Sequence, residues 1–287
     1  MSWHEETLYP DVREALKIDE ELYRGQTAFQ DVRFFRNGAM GTVMTLDGVV
    51  QTTEADEFIY HEMLAHPPIL AHGAVRRVLV IGGGDGGCAR EVLRHPVERL
   101  VMVELDGEVV ELSKRFLPGL SDGAFDDARL ELVIGDGAAY VAAAEESFDV
   151  VIVDSTDPVG PGLVLFQQPF YENCRRLLGG GGMLVSQNGV PFFQRGEYDM
   201  TAATRARLFR HSGFYFVGVP TYFGGAMALG WGSDAIDLPQ VDPAAIAARY
   251  RAWGEVPRFY NPEIHQAALA TPNYLKTGGP KAGSRYR

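Results

Sequence analysis

Asp154 and Asp157 stand three residues apart where an apolar run, VVIV at 150–153, gives out into a loop carrying Pro158 and Pro161. A carboxylate left at a buried strand end is desolvated unless something pairs with it. Two such carboxylates repel each other unless a cation lies between them. An aspartate held beside an amine can orient that amine and take a proton from it. A plain turn accounts for Asp157-Pro158, because Asp-Pro starts loops readily, but it leaves Asp154 unexplained.

A second group of residues points to a ligand beside them. VLVIGGGDGGCAREVL, from residue 78, sets glycines between an apolar strand and a helix. Backbone without Cβ lets a ligand rest against the strand end and the helix N-terminus. Gly82, Gly84 and Gly87 satisfy the dinucleotide fingerprint, and Glu104 ends the next strand at 104 − 84 = 20 residues from Gly84. That is the spacing of a carboxylate that takes ribose hydroxyls. Asp85 lies inside the glycine loop, where a pyrophosphate would meet it at close range, so electrostatics favours a ligand that is cationic or uncharged there. Asp136, at the end of a third strand, can accept a hydrogen bond from an adenine amino group or cap the following helix. A phosphate-free nucleoside of the S-adenosyl-sulfonium class fits all three carboxylates. The alternative is a glycine turn that merely permits close helix packing.

The elements that must position these residues follow from periodicity. From Arg76, the runs RRVLVIG, RLVMVEL, LELVIGD and FDVVIVD alternate with helical GCAREVLRH, GEVVELSKRFL and GAAYVAAAEE. A fifth strand, GMLVSQNG, follows the helix PFYENCRRLL, and GFYFVGVPTY with AMALGWGS reads as an antiparallel pair finishing the sheet. Continuous apolar strands between helices predict a parallel sheet covered on both faces. The expected class is α/β: a Rossmann-like, class I methyltransferase-type sheet, mostly parallel with an antiparallel final strand. Ahead of it, residues 28–52 predict a small antiparallel sheet turning at Asn37-Gly38 and Asp47-Gly48. TEADEFIYHEMLAHPP then predicts a helix with a Thr53–Asp56 capping box, an apolar stripe of Phe58, Ile59, Leu64 and Ala65, and a stop at Pro67-Pro68. DPAAIAARYRAW is helical. The expected division is an N-terminal β-hairpin domain with its connecting helix over 1–66, a catalytic domain over 67–275 and a flexible basic tail over 276–287.

The 287 residues suffice for one large domain plus a small one, and the net charge of −12 argues against a nucleic-acid partner. No apolar run approaches the ~20 residues of a membrane span, and the start lacks a secretory pattern. Cys88 and Cys174 are too few for a disulfide scaffold, which predicts a reduced, cytoplasmic protein. No metal or resident cofactor is expected. In HEMLAH, His61 and His66 are five apart, where the zinc motif requires four, and His66 reads as a plain helix-end residue. The N-terminal hairpins have too little mass to fold alone, so a homodimer or homotetramer is expected.

The motifs GTVMTLDGVVQTTEADEFIYHEML, VLVIGGGDGG, VMVELD, DSTDPVGPG, SQNG and PTYFGG occur in order, followed by YNPEIHQAALATPNYL. Together they resemble the polyamine aminopropyltransferases, most closely the bacterial spermidine synthases, over nearly the whole chain. The resemblance implies transfer of an aminopropyl group from decarboxylated S-adenosylmethionine to a diamine, usually putrescine, giving spermidine and methylthioadenosine. It implies Asp154 as proton acceptor and Asp157 as a diamine ligand. Glu104 would bind ribose, Asp136 with Gly137 adenine, and Asp85 the donor's terminal amine beside Gly82 and Gly84. Gln30 and Pro161 fall at donor-contacting positions and His61 at an acceptor-contacting one. Gln51, Tyr60, Gln187 and Tyr222 match the wall of the diamine channel. Acceptors such as cadaverine or agmatine remain alternatives. So does methyl transfer from intact S-adenosylmethionine, which leaves Asp85 without a purpose.

Overall fold

The computed structural model describes residues 2–6, 8–158 and 160–276. At the N-terminus β1 (Ser2–Glu5) pairs antiparallel with β2 (Ala15–Ile18). A four-stranded antiparallel sheet follows, made of β3 (Glu20–Gln26), β4 (Asp31–Asn37), β5 (Gly41–Leu46) and β6 (Val49–Thr53) in that order. The Asp47-Gly48 hairpin is as expected, with both residues left-handed at φ 49° and 80°, the twist a tight hairpin demands. The Asn37 turn is longer than two residues: Asn37 Oδ1 accepts from Ala39 N and Met40 N, and β5 begins only at Gly41. The first three strands escape a reading of the sequence because β1 and β2 are only four residues long and β3, EELYRGQ, carries little apolar alternation.

The helix α1 (Glu57–His72) corrects four expectations. Pro67 and Pro68 lie inside it, and it ends at left-handed Gly73. A proline removes the N–H that would bond the carbonyl four residues back, which for Pro67 is that of Met63. The Tyr215 hydroxyl donates to the Met63 carbonyl at 2.8 Å instead, so the helix runs on. Thr53 and Asp56 form no capping box: Thr53 Oγ1 donates to Asp56 Oδ1, and the other Asp56 oxygen accepts from Thr221. Nor is there a single apolar stripe, since thirteen of the sixteen residues are buried. His66 is fully buried in mid-helix, with Nδ1 3.0 Å from His95 Nε2 and Nε2 3.1 Å from Glu91. Tyr215→Phe should destabilise the fold by ~1–3 kcal/mol, the cost of a buried carbonyl left without a donor. Denaturant unfolding measures it, and an unchanged midpoint would show that the freed carbonyl needs no partner.

The main sheet has the order β12-β13-β11-β10-β7-β8-β9. Its strands are β7 (Arg77–Gly82), β8 (Arg99–Glu104), β9 (Leu130–Ile134), β10 (Val150–Asp154), β11 (Met183–Gln187), β12 (His211–Gly218) and β13 (Ala226–Ser233). β13 alone runs antiparallel to its two neighbours, as the sequence predicts. Helices α2 (Gly87–Leu93), α3 (Gly107–Phe116), α4 (Pro118–Ser121), α5 (Gly137–Ala143) and α6 (Gln168–Leu177) fill the crossovers. α7 (Arg195–Leu208), α8 (Pro243–Trp253), α9 (Pro262–Ala268) and α10 (Asn273–Lys276) complete the chain. The pleat sorts β7 by face: Val78 and Val80 pack with Met63, Leu64, Ala89 and Val92, whereas Leu79 and Ile81 pack with Val141, Phe170 and Cys174. Val32, Phe34 and Met44 of the N-terminal sheet pack on Val109, Leu117 and Leu120. That contact hangs the β region over the carboxyl ends of the parallel strands. From β7 the chain proceeds to β8 and β9 on one side and returns to β10 on the other, which opens a crevice between β7 and β10. Apart from Lys276, the expected basic tail lies outside the described residues.

Candidate active site

The crevice is a cavity of about 450 Å³, within the usual range of small-molecule sites. Asp154 ends β10 and Gly82 ends β7 as its register partner. Gly82 and Gly83 take φ of 86° and 79°, and Gly83 N donates to Asp154 O at 2.9 Å. The two strand ends therefore meet backbone to backbone, which sets Asp154 against the glycine loop.

Asp154 Oδ1 accepts from the Tyr60 hydroxyl at 2.6 Å, while its buried Oδ2 has no hydrogen-bond partner among the described residues. Burial raises its pKa to about 6, with Asp85 adding to the rise and His61 and Tyr60 opposing it. Asp85 Oδ1 accepts from Gly87 N at 2.8 Å, and its Oδ2 lies 3.5 Å from His61 Nε2. Tyr222 stands edge-on to Tyr60 with ring centroids 5.6 Å apart and donates to Gln51 O.

On the β8 side of the cavity, Glu104 is raised to about 7 by burial while accepting from Asp106 N at 2.9 Å. Asp136 Oδ1 caps α5 by accepting from Ala138 N and Ala139 N. Asp136 also lines the cavity, so capping and adenine contact are both open to it geometrically. At Gly137 an added Cβ would fall 2.5 Å from Ile81. Gln30 Nε2 donates to Asp106, which leaves its carbonyl oxygen for a ligand.

On the other side, Asp157 Oδ1 accepts from Gln194 Nε2 at 2.7 Å, and burial raises its pKa. Gln187 is turned into the protein: its amide nitrogen donates to Ser155 O and Thr156 O and its oxygen accepts from Gly189 N. It thereby fixes the loop that carries Asp157.

Gln30, Gln51, Tyr60, His61, Gly82, Gly84, Asp85, Glu104, Asp136, Gly137, Asp154, Asp157, Gln187 and Tyr222 all line this one cavity. Pro161 belongs to the 3-10 segment Gly160–Phe166, and its side chain lies outside the described residues. Sequence reasoning missed Glu6 and Gln194. Gln194 Oε1 accepts from Val190 N at 2.6 Å and from the Tyr9 hydroxyl at 3.2 Å, which turns its amide nitrogen towards Asp157. Both residues sit in stretches without periodicity, so only their charge or amide could have flagged them. The described lining holds seven carboxyl groups, on Glu6, Asp85, Glu104, Asp106, Asp136, Asp154 and Asp157, and neither lysine nor arginine.

This crowding of acids has a measurable consequence. Burial raises Asp154 to about 6, Glu6 to about 7 and Glu197 to about 8, alongside Glu104 at about 7. Their unfolded values are ~4, so the folded chain holds protons the unfolded chain has lost, and stability rises as pH falls through that window. His61, raised to about 9, contributes stability that is complete below its unfolded ~6.5 and is lost as pH climbs through 9. His95 and His265, held by burial at about 2 and about 4, resist charging, so their contribution falls below ~6.5. The four raised carboxyls outnumber these two histidines, so thermal melting of the ligand-free protein should peak near pH ~5, just above where the unfolded carboxyls protonate as well; a maximum at pH 8 or above would contradict these assignments.

Residues 2–54 match the family model described as "Spermidine synthase tetramerisation domain", and residues 57–242 that described as "Spermine/spermidine synthase domain". The chain is 55% identical to a polyamine aminopropyltransferase of Pseudomonas aeruginosa over 276 residues, covering 96% of each chain. It is 53% identical to that of a Ruegeria species over 275 residues, covering 96% of this chain and 97% of the relative. Among solved structures, a spermidine synthase in complex with the transition-state analogue AdoDATO superposes with a TM-score of 0.91 at 38% identity, covering 96% of this chain and 94% of that one. The spermidine synthase of Thermotoga maritima gives 0.88 at 36%, covering 96% and 93%. With matches along almost its whole length, at these identities and around a crevice of this composition, the chain belongs to the spermine/spermidine synthase family, the polyamine aminopropyltransferases.

Proposed function

We propose that the protein is a spermidine synthase, which moves the aminopropyl group of decarboxylated S-adenosylmethionine onto putrescine and releases spermidine and methylthioadenosine. The observation that carries this reading is the cavity lining: seven carboxyl groups, no lysine and no arginine among the described residues. Such a surface favours cations and disfavours phosphates. We assign Glu104, Asp136 and Gly137 to ribose and adenine, and Asp85 to the ammonium of the donor's tail, a group that intact S-adenosylmethionine accompanies with a repelled carboxylate. The solved relative that binds AdoDATO supports a donor of this kind.

The diamine would lie between Tyr60, Tyr222 and Asp157. Its attacking nitrogen meets the carbon next to sulfur, a C–N bond forms, the C–S bond breaks with its electron pair going to sulfur, and the nitrogen then loses one proton. Asp154 Oδ2 is the acceptor. An amine of pKa ~10 stands ~6 units above an ordinary aspartate. Burial of Asp154 at about 6 narrows that gap, and the acidity of the nitrogen rises steeply as it bonds to carbon.

We assign the N-terminal β region, matched by the tetramerisation model, to assembly as a homodimer or homotetramer, and the α/β region to catalysis. The cysteines are free and buried and no described helix is long and apolar enough to cross a membrane, which supports a cytoplasmic enzyme.

The test supplies decarboxylated donor with putrescine, cadaverine or agmatine in turn and follows methylthioadenosine. Fastest release with putrescine is expected. Release with another amine alone would move the acceptor assignment, and methyl transfer from intact S-adenosylmethionine would overturn the reading.

A further inference from the structure

His61 is the one basic side chain in the described lining of the cavity, and both of its ring nitrogens face carboxylates. Nδ1 lies 2.6 Å from Glu57 Oε2 and Nε2 lies 3.5 Å from Asp85 Oδ2. Arg90 braces Glu57 from the other side, with its two terminal nitrogens each 3.0 Å from one of the carboxylate oxygens. A neutral imidazole carries one N–H and one lone pair, so it would turn a lone pair towards one of these carboxylates. The doubly protonated ring satisfies both. Gly87 makes the placement possible, since a Cβ there would sit 2.3 Å from the ring. The charged and titratable groups around His61 are Glu57 on its own helix, Asp85 on the glycine loop, Asp154 at the end of β10, Arg90 reaching Glu57 from α2, and the neighbouring Tyr60 ring. Burial opposes the charge, but Asp85, Glu57 and Asp154 together overcome it and hold His61 at about 9.

We propose that His61 is held as a fixed imidazolium, and that its charge makes the transfer site take up the attacking nitrogen of the diamine as the neutral amine. The proposal rests on the aminopropyl transfer assigned above. Behind the ring Glu57 and Glu91 are offset by Arg90 and Arg94, and at the transfer position itself Asp85 and Asp154 bring two negative charges and His61 one positive one. The donor's sulfonium and ammonium would leave the inner site at +1. An ammonium at the attacking position would make it +2 in a place shielded from water, whereas a neutral amine leaves it unchanged. At the separations of one buried site, a unit charge shifts a neighbour's proton affinity by about one to two pKa units. The nucleophile therefore arrives with its lone pair free, and Asp154 has only to accept the proton released as the new bond forms.

His61→Gln removes the charge. Its single-turnover rate should fall ~10–100-fold at pH 7 and return to within about threefold of the wild type near pH ~9.5, because the acidic limb of the profile moves up by one to two units. A loss of equal size at every pH would reduce His61 to a packing role and overturn the proposal. A second measurement needs neither the variant's activity nor any substrate. In protein labelled with 15N-histidine, both ring nitrogens of His61 should keep imidazolium shifts at pH 8, and neutral-imidazole shifts there would also overturn it. Failure of the wild type to release methylthioadenosine tells against the transfer reading. Normal wild-type turnover with a pH-independent loss in the variant tells against the role of His61 alone.

Discussion

Asp154→Asn is expected to lower single-turnover release of methylthioadenosine by about 10³–10⁴-fold, the upper part of the range for a lost general base. Methylthioadenosine binding, measured by calorimetry, should stay within about threefold of the wild type. The geometry separates the two effects. An asparagine oxygen can still accept from Tyr60, as Asp154 Oδ1 does at 2.6 Å, so the strand end and glycine loop keep their arrangement. What changes is the other atom. Oδ2, buried and without a hydrogen-bond partner among the described residues, becomes an amide nitrogen that cannot take a proton. Tyr60→Phe leaves the carboxylate in place and removes one donor to it, so a smaller loss of ~10-fold is expected, within the usual worth of a hydrogen bond to a charged group. An Asp154→Asn variant retaining more than a tenth of wild-type turnover would exclude Asp154 as proton acceptor. Weakened nucleoside binding instead would place the residue in donor recognition.

How far the sequence reaches depends on how local each cause is. Four of the five parallel strands are legible because burial on both faces demands continuous apolar runs, and 150–153 is as plain a case as the chain offers; β9, at the sheet edge with Glu131 and Ile134 exposed, is legible from its place in the alternation of strands and helices. The site is legible because an open α/β sheet gathers its strand ends. Asp85, Glu104, Asp136 and Asp154 follow four different strands and still line one cavity. Pro67 misleads because its remedy is remote: the hydroxyl serving the Met63 carbonyl belongs to Tyr215, 152 residues further on. His66 misleads in the same way, since its partners His95 and Glu91 come from α2 and the turn after it. Gln194 and Glu6 have no local signature, because they come near Asp157 only once segments far apart in the chain, one at the N-terminus and one just before α7, have folded together.

Gly82→Ala is expected to abolish most activity, by ~10²–10³-fold, though the substitution adds only one methyl group. Two costs are superposed there. The residue sits at φ 86°, where a side chain is strained by about 1–2 kcal/mol. Its Cβ would also fall 2.0 Å from the carbonyl oxygen of Asp154, so the β7 and β10 ends must part by an ångström or more. Gly48 isolates the first cost: it has φ 80° with nothing within 4 Å of an added Cβ, so Gly48→Ala should lose only that strain energy and keep full turnover. The excess at Gly82 is then the cost of separating the strands. Parting them breaks the 2.9 Å bond from Gly83 N to Asp154 O and carries the carboxylate away from its target. A displacement of ~1 Å at a reacting centre is worth ~10²-fold. Because Gly83 and Gly84 move too, methylthioadenosine should bind more weakly, in contrast to Asp154→Asn. Turnover within tenfold of wild type, or a loss matched by Gly48→Ala, would show that the backbone contact between these strand ends does not set the position of the Asp154 carboxylate that turnover requires.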